Sequence, residues 1–178
     1  MQKIIKTIRM KLPKTKIYNS SELKSIIFDY RNKGKKVVFS NGCFDIIHKG
    51  HETYLKAARE LGDFLIIGLN SDSSVQQLKG LNRPIIDQRN RAINLLKLDY
   101  VDAVTIFSEL TPKKLIHELT PDFIVKGGDY KPEEVVGGDY VQSYGGKVVI
   151  LPFVPGYSTT NIIMNRKGKD LTDGEGSS

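Results

Sequence analysis

The chain alternates short, almost continuously apolar runs with segments of helical periodicity. Five such runs lie at 36–41, 63–70, 101–107, 122–126 and 147–151, and every gap between them contains a helical pattern. A strand that is apolar on both faces is typical of a parallel sheet covered by helices on both sides. The sequence therefore predicts a single α/β domain built on a small, doubly wound, five-stranded parallel sheet.

The 178 residues are enough for one domain with short additions at its ends. Residues 1–34 are expected to form a basic N-terminal arm and a leading helix, which starts at the capping-box sequence Asn19-Ser-Ser-Glu22. The α/β domain itself is expected over residues 35–167. From residue 168 the chain is polar and Gly-rich, which predicts a disordered tail over 168–178.

The charge of the chain is concentrated at its start. The formal net charge is +7, but six basic and no acidic side chains fall within the first 16 residues, so the remainder is almost neutral. This distribution argues against a basic face for nucleic acid. The arm is interpreted as a solvated terminus, although Ile4, Ile8 and Leu12 at helical spacing leave a membrane surface or a partner open. Since no apolar run can span a bilayer and no secretory signal is recognisable, a cytoplasmic protein is expected.

Two histidines follow the first strand, in the stretch NGCFDIIHKGH at residues 41–51. Ligands of doubly wound sheets bind at the carboxyl ends of the strands. His48 and His51 lie there at the start of a helix, where unpaired N–H groups attract anions. A pair of ordinary loop histidines is one alternative. A zinc site is another, but the single cysteine, Cys43, and the distant His117, interpreted as a surface residue, offer few further ligands.

The stretch lacks both the Gly-rich dinucleotide fingerprint and the P-loop. NGCFDIIHKGH instead resembles the H-x-G-H signature of a nucleotidyltransferase superfamily with a Rossmann-like fold. Residues 35–165 are similar to the adenylyltransferase domain of bacterial ADP-heptose synthesis enzymes, a similarity that includes VKGGDYKPEE at 125–134 and STTNII at 158–163. The resemblance implies transfer of AMP from ATP, used with Mg²⁺, to D-glycero-D-manno-heptose 1-phosphate. The products would be pyrophosphate and ADP-heptose, for lipopolysaccharide or another surface glycan.

The resemblance also implies a set of site residues. His48 and His51 would contact the α- and β-phosphates, and Lys79 and Arg91 would complete the catalytic set by neutralising charge. The residues expected to bind the nucleotide are Asn41, Gly42, Phe44, Asp45, Gly50, Arg83, Lys126, Gly127, Gly128, Asp129, Ser158, Thr159 and Thr160. A solvated helix face is an equally good interpretation for Lys79 and Arg83, and Asp45 could instead orient the loop or water on Mg²⁺. No side chain is expected to ligate a metal.

Two departures from the family pattern bear on substrate and partners. Many relatives have an arginine three residues after the last threonine, where this chain has Ile163, which favours the branch acting on sugar or polyol phosphates. About 35 residues precede the first strand, too few for a sugar kinase, so a separate kinase is expected. A cytidylyltransferase for glycerol 3-phosphate and a nucleotide-binding module without catalysis are the alternatives. A homo-oligomer, specifically a dimer, is expected from relatives.

Overall fold

The sheet is parallel and six-stranded. The structure, a computed structural model, describes residues 16–152. Its strands are β1 (Lys16–Ile17), β2 (Val37–Gly42), β3 (Phe64–Asn70), β4 (Ala103–Phe107), β5 (Phe123–Gly127) and β6 (Lys147–Leu151). Its helices are α1 (Ser20–Asn32), α2 (Lys49–Arg59), α3 (Asp72–Lys79), α4 (Gln88–Leu96), α5 (Lys113–Leu119) and α6 (Gly138–Ser143), with a 3₁₀ turn at Pro132–Glu134. The strand order is β1-β4-β3-β2-β5-β6.

The five predicted strands are confirmed as β2 to β6, and with them the doubly wound, Rossmann-like arrangement. The sequence does not predict β1, whose two residues pair with Ala103 and Val104 at the edge of the sheet. Two residues are too few to show a period. The helical segment between β5 and β6 is divided into the 3₁₀ turn and α6, because Gly137 adopts a left-handed conformation (φ 81°) between them.

Helices cover the sheet on both faces. Alternate residues of β2 point to opposite sides, so that Val37 and Phe39 pack with α1, α5 and α6, whereas Val38 packs with α2 and α4. Helix α1 therefore contributes to the core, and its capping box is present, with Asn19 Oδ1 accepting from the Glu22 N–H at 2.8 Å. The arm expected before residue 16 and the tail expected after residue 167 lie outside the described residues.

The strand order reverses direction at β2. The chain places β3 and β4 on one side of β2 and then crosses back to place β5 and β6 on the other. Connections that leave in opposite directions on the two sides of such a switch open a crevice at the carboxyl ends of the strands. The segment that carries His48 and His51 begins at the end of β2, so the fold places it at this crevice. Over residues 16–152, none of the helices has the length and apolar character needed to cross a membrane.

Candidate active site

A cavity of about 180 Å³ lies at the carboxyl ends of β2 and β5. Its walls come from the loop after β2, the first turns of α2, the end of α3 and the loop after β5. The lining residues are Asn41, Gly42, Cys43, Phe44, Asp45, His51, Tyr54, Lys79, Lys126, Gly127 and Tyr130. The sequence predicts all of these as site residues except Cys43, Tyr54 and Tyr130.

Two imidazoles stand at the start of α2. His48 is the N-cap residue and His51 is the third residue of the helix, and their rings stack with centroids 3.9 Å apart. His48 is buried, and its side chain does not cap the helix. The first backbone N–H groups of a helix have no partner within it and carry the positive end of its dipole. The two rings and these N–H groups together form a site suited to a phosphate.

Burial keeps both imidazoles neutral. It lowers the pKa of His51 to about 3, and electrostatic repulsion from His48 and Lys79 acts in the same direction. Burial also lowers the pKa of His48, although the carboxylate of Glu52 opposes the shift. A neutral imidazole donates one hydrogen bond and accepts another. Without ligand, the histidines therefore offer N–H donors rather than two positive charges, and a bound anion would favour their protonation.

The loop between β2 and α2 has a constrained conformation. Phe44 adopts φ 44°, in the left-handed region that residues other than glycine rarely occupy. The next residue, Asp45, is buried; its carboxylate accepts from Arg83 Nε at 2.7 Å and from the backbone N–H groups of Ile85 and Ile86 at 2.9 and 3.0 Å. Burial raises the pKa of Asp45, but these hydrogen bonds outweigh it and lower the pKa. Because the carboxylate is fully engaged, Asp45 orients the loop, and direct binding to nucleotide or to a metal's water is not supported.

Arg91 also contacts the loop between β2 and α2, through its backbone. Its side chain is fully buried, with Nη1 donating to the carbonyls of Cys43 and Asn70 at 2.6 and 2.8 Å. Nε donates to the Ile86 carbonyl at 2.8 Å, and Nη2 pairs with Asp72 Oδ1 at 2.7 Å. A guanidinium has five N–H donors in a fixed fork, and these contacts use it on every side. The expected direct role of Arg91 on phosphate therefore does not fit this geometry, which makes it a positioning residue.

At or near the cavity, two lysines and one arginine have cationic groups that could contact a bound anion. Lys126 is near the floor of the cavity, where Nζ donates to the Asn41 carbonyl at 3.2 Å, and burial lowers its pKa to about 8. Lys79 is exposed at the end of α3 and lines the cavity. Arg83 keeps one buried guanidinium nitrogen, Nη2, that has no hydrogen-bond partner in the part of the chain that the structure describes. The cavity therefore combines the neutral imidazole of His51 with the side chains of two lysines, Lys79 and Lys126, on different walls.

The remaining predicted residues lie beside the cavity or outside the description. Gly50 is buried between the histidines. Gly128, at φ 111°, donates its N–H to the Leu151 carbonyl at 2.8 Å, and Asp129 is exposed; neither lines the cavity. His117 is exposed and stacks on Tyr140 with ring centroids 3.8 Å apart. The hydroxyl residues expected at the last helix, Ser158, Thr159 and Thr160, fall outside residues 16–152.

Metal ligands are sparse in the described range. Between residues 16 and 152, no three or more His, Cys, Asp and Glu side chains gather so as to hold a metal ion. The alternative interpretation of the histidines as zinc ligands therefore gains no support, because structural and catalytic zinc sites need three or four such ligands. The carboxylate that lines the cavity, Asp45, already has three donors.

Sequence reasoning missed two tyrosines in the cavity. Tyr54 fits the apolar period of α2 and gives no sequence signal beyond that of a helix, yet its hydroxyl lies 3.4 Å from Ser40 Oγ and the residue lines the cavity. Tyr130 follows the Gly-Gly turn after β5, and its ring lies 5.7 Å from the Lys126 ammonium. The proximity of Tyr130 to a predicted ligand edge was the available signal, since loop aromatics at such an edge are candidates for contact with a ligand.

Comparison with known proteins identifies relatives over most of the chain. Residues 39–165 match the model of the cytidylyltransferase-like family. The bifunctional protein HldE of Trichlorobacter lovleyi is 57% identical over 149 residues, which are 84% of this chain and 30% of that protein. HldE of Geobacter metallireducens is 55% identical over 148 residues, 83% of this chain and 30% of that protein. The chain thus spans about 30% of the length of the curated relatives it matches.

Solved structures show the same fold. A lipopolysaccharide core biosynthesis protein from Thermoplasma volcanium is 30% identical with a TM-score of 0.56, covering 68% of this chain and 98% of that one. A pantothenate synthetase from Thermus thermophilus has a TM-score of 0.61 at 16% identity, covering 88% of this chain and 70% of that one. The second likeness concerns the fold alone.

Proposed function

The chain belongs to the cytidylyltransferase-like family and is a nucleotidyltransferase, and from this premise we propose that it transfers AMP from ATP to D-glycero-D-manno-heptose 1-phosphate. The observation that carries the proposal is the pair of stacked imidazoles at the start of α2, beside a cavity lined by lysines, in a chain 57% identical to HldE. The proposed products are ADP-heptose and pyrophosphate. Use of ADP-heptose for a lipopolysaccharide is supported by the similarity to the lipopolysaccharide core biosynthesis protein of Thermoplasma volcanium.

The proposed reaction is an in-line displacement at the α-phosphorus of ATP. A phosphate oxygen of the sugar phosphate forms a new bond to that phosphorus, the bond to the β-phosphate oxygen breaks, and pyrophosphate leaves with the electron pair. Such transfers depend on positioning and on neutralising charge rather than on a covalent protein nucleophile. Cys43, although it lines the cavity, therefore has no role as a nucleophile in this proposal.

Each part of the site has a task in this reaction. The N–H groups at the start of α2 and the donors on His48 and His51 would hold the α- and β-phosphates, where charge increases in the transition state. The ammonium groups of Lys79 and Lys126 would neutralise charge from the other walls. Arg91 contacts the loop and does not line the cavity. It would hold the loop, and with it the imidazoles, in position.

Magnesium fits this site as part of the substrate. The described residues supply no cluster of carboxylates, whereas Mg²⁺ bound to a nucleotide keeps several waters and takes much of its coordination from phosphate oxygens. We therefore propose that ATP enters as its magnesium complex. When bound, the ion would neutralise part of the triphosphate charge, and the protein's own groups would orient the phosphates around it.

The proposed reaction requires an earlier step that phosphorylates the sugar. The acceptor is already a sugar phosphate, so a kinase activity must supply it. A cytoplasmic location, where ATP is abundant, and a homodimer belong to the same proposal. Light scattering coupled to gel filtration measures the number of subunits directly, and a monomer at working concentrations would remove the dimer from it.

The decisive experiment measures pyrophosphate release by the purified protein with Mg²⁺. ATP, CTP, GTP and UTP are each paired with the heptose phosphate and with glycerol 3-phosphate. Release with ATP and the heptose phosphate alone is the expected result. Release with CTP and glycerol 3-phosphate would instead support a cytidylyltransferase, a candidate that the matched cytidylyltransferase-like family suggests and with which Ile163 is equally compatible. Triphosphate binding without release in any pairing would support a module without catalysis.

Variants of the histidines test the proposed roles. His48→Ala and His51→Ala should each lower turnover by roughly 10²–10⁴-fold, the range for removing a donor or acid–base group that acts in a transition state. His117→Ala is the matched control, because His117 is exposed and lies outside the cavity. Thermal unfolding of all three variants would show whether the fold is retained. Turnover near that of the unaltered protein in either active-site variant would exclude the proposed role.

A further inference from the structure

A groove separate from the active site lies at the β1 edge of the sheet. Its volume is about 350 Å³, and it is lined by the start of α1, the end of β4, the loop that follows and helix α5. The apolar part of its lining is Ile106, Phe107 and Leu115, the last two of which are buried. The other lining residues are polar or charged and are Asn19, Ser20, Thr105, Ser108, Glu109, Lys114 and Glu118.

The groove begins where the pairing of β1 ends. Among residues 16–152, β1 pairs with β4 at Ala103 and Val104, whereas β3 pairs with β4 as far as Phe107. Strand β4 thus continues for three residues past its last partner in β1, and these three residues line the groove. The groove therefore lies in line with β1, beside the point where the chain turns into α1.

The groove has an excess of negative charge. Glu109 and Glu118 line it together with one ammonium group, that of Lys114, which lies 3.4 Å from the Glu109 carboxylate. A groove of about 420 Å³ along α2 offers a comparison, because its four charged residues balance; they are Lys49, Lys56, Glu52 and Glu60. The groove at β4 combines an apolar lining with an acidic rim, which suits a cationic segment that has an apolar face.

The segment that precedes β1 has this character. Residues 1–15 contain five basic and no acidic side chains, and Ile4, Ile8 and Leu12 recur at helical spacing. The segment joins the sheet at Lys16, which pairs with Ala103 on the strand that lines the groove. Three strand residues separate that point from Ile106, a distance of about 10 Å. A segment of this length spans about 22 Å even as a helix, so it is long enough to reach the groove.

We propose that residues 1–15 dock in the groove, with their apolar side chains against Ile106 and Leu115 and their basic side chains near Glu109 and Glu118. The mode is that of an amphipathic helix in an apolar groove, here within one chain. Because the chain itself joins the segment to the groove, the effective concentration is high and individually weak contacts suffice. The basic segment would then be part of the folded domain and not a solvated terminus.

Tryptic cleavage tests the proposal, because every basic residue of the segment is a cleavage site. Mass spectrometry follows cleavage within residues 1–15 of the full chain and of a synthetic peptide of the same sequence. Docking should slow cleavage roughly tenfold relative to the peptide, since the protease cuts the undocked fraction. Glu109→Lys combined with Glu118→Lys removes two exposed ion pairs and should raise the rate roughly three- to tenfold. Glu60→Lys combined with Glu133→Lys is the matched control, which changes the net charge equally at exposed residues outside the groove and should not change the rate.

Hydrogen exchange provides a readout from the groove itself. Ile4→Ser, Ile8→Ser and Leu12→Ser together remove the apolar stripe and keep every charge of the segment. In this variant the backbone amides of residues 106–110 should exchange roughly threefold faster or more, because the segment no longer covers them. The amides of α4, which does not line the groove, should exchange as in the unaltered protein. Circular dichroism of each variant would show that the fold is retained.

Four results would overturn the proposal. Cleavage in the full chain at the rate of the free peptide would show that the segment is undocked, and its binding to vesicles of anionic phospholipid would then assign it to a membrane surface. Equal cleavage rates in the groove variant and its control would place the segment elsewhere on the protein. Unchanged exchange of residues 106–110 in the serine variant would show that nothing in the segment covers them. Cleavage that slows as protein concentration rises would assign the groove to the segment of a second copy.

Discussion

Replacing Arg91 should destabilise the fold before it alters the chemistry. The side chain is fully buried and makes three hydrogen bonds to backbone carbonyls and one ion pair with Asp72. Arg91→Ala removes every donor at once, leaving the carbonyls of Cys43, Asn70 and Ile86 without them. An orphaned buried acceptor costs about 1–3 kcal/mol, and removing one partner of a buried ion pair costs about 3–5 kcal/mol.

These costs are not additive, because the emptied space can admit water and Asp72 is 37% exposed in its side chain. We therefore expect a loss of about 3–5 kcal/mol in the free energy of unfolding, most of it from the three carbonyls that lose their donors. At roughly 2–4 °C per kcal/mol for a chain of this size, the melting temperature should fall by about 6–20 °C. Arg91→Lys should recover only part of the loss, because an ammonium cannot reproduce the planar fork.

The assay is urea unfolding followed by circular dichroism, with pyrophosphate release measured at a temperature where each variant is folded. Arg89→Ala, on the same helix but exposed, is the matched control and should change the unfolding free energy by less than about 0.5 kcal/mol. A variant Arg91→Ala that unfolds like the unaltered protein while losing turnover would refute the reasoning. That result would return Arg91 to direct contact with substrate.

Three further predictions concern titration and the loop. Because the pKa of His51 is lowered to about 3 in the folded state from about 6.5 unfolded, unfolding takes up protons below pH 6.5. The unaltered protein should therefore lose stability relative to His51→Gln between pH 7 and 5 in urea titrations, and a pH-independent difference would contradict this. Lys126, with a pKa of about 8, should lose its charge between pH 7 and 9, so triphosphate affinity should fall over that range in calorimetry but change less in Lys126→Met. Asp45→Asn should weaken the charged contact with Arg83 and lower the unfolding free energy by about 2 kcal/mol; an unchanged urea midpoint would count against the loop-positioning role.

Most of the fold follows from the sequence because its elements are strongly periodic. The run from Phe64 to Asn70 is buried at every residue, which is the burial that a continuous apolar run predicts for a central parallel strand. The capping box at Asn19 is likewise a local signal, and the structure confirms it. What the sequence could not provide is β1, because two residues that pair at the sheet edge depend on a partner strand over 80 positions away.

The positions of the site residues were predictable, but their tasks were not. The sequence locates His48, His51 and Lys126 at one edge because parallel strands bring their carboxyl ends together. It does not distinguish an arginine that meets phosphate from one that holds a loop, because that difference depends on burial. Arg91 and Lys79 have the same charge sign, yet one is enclosed by carbonyls and the other is exposed at the cavity.

The protonation of the site residues also depends on burial and so could not be predicted from the sequence. It determines which groups of the site can attract phosphate. Histidines and lysines clustered at a strand end suggest a strongly cationic site when the sequence is considered alone. In the folded chain, burial lowers the pKa of His48, His51 and Lys126 together. Much of the attraction for phosphate must then come from the N–H groups at the start of α2, from Lys79, and from Lys126, which at a pKa of about 8 is still mostly charged at pH 7. Protonation of the imidazoles would follow the arrival of the anion, so the site would gain positive charge only when phosphate is present to stabilise it.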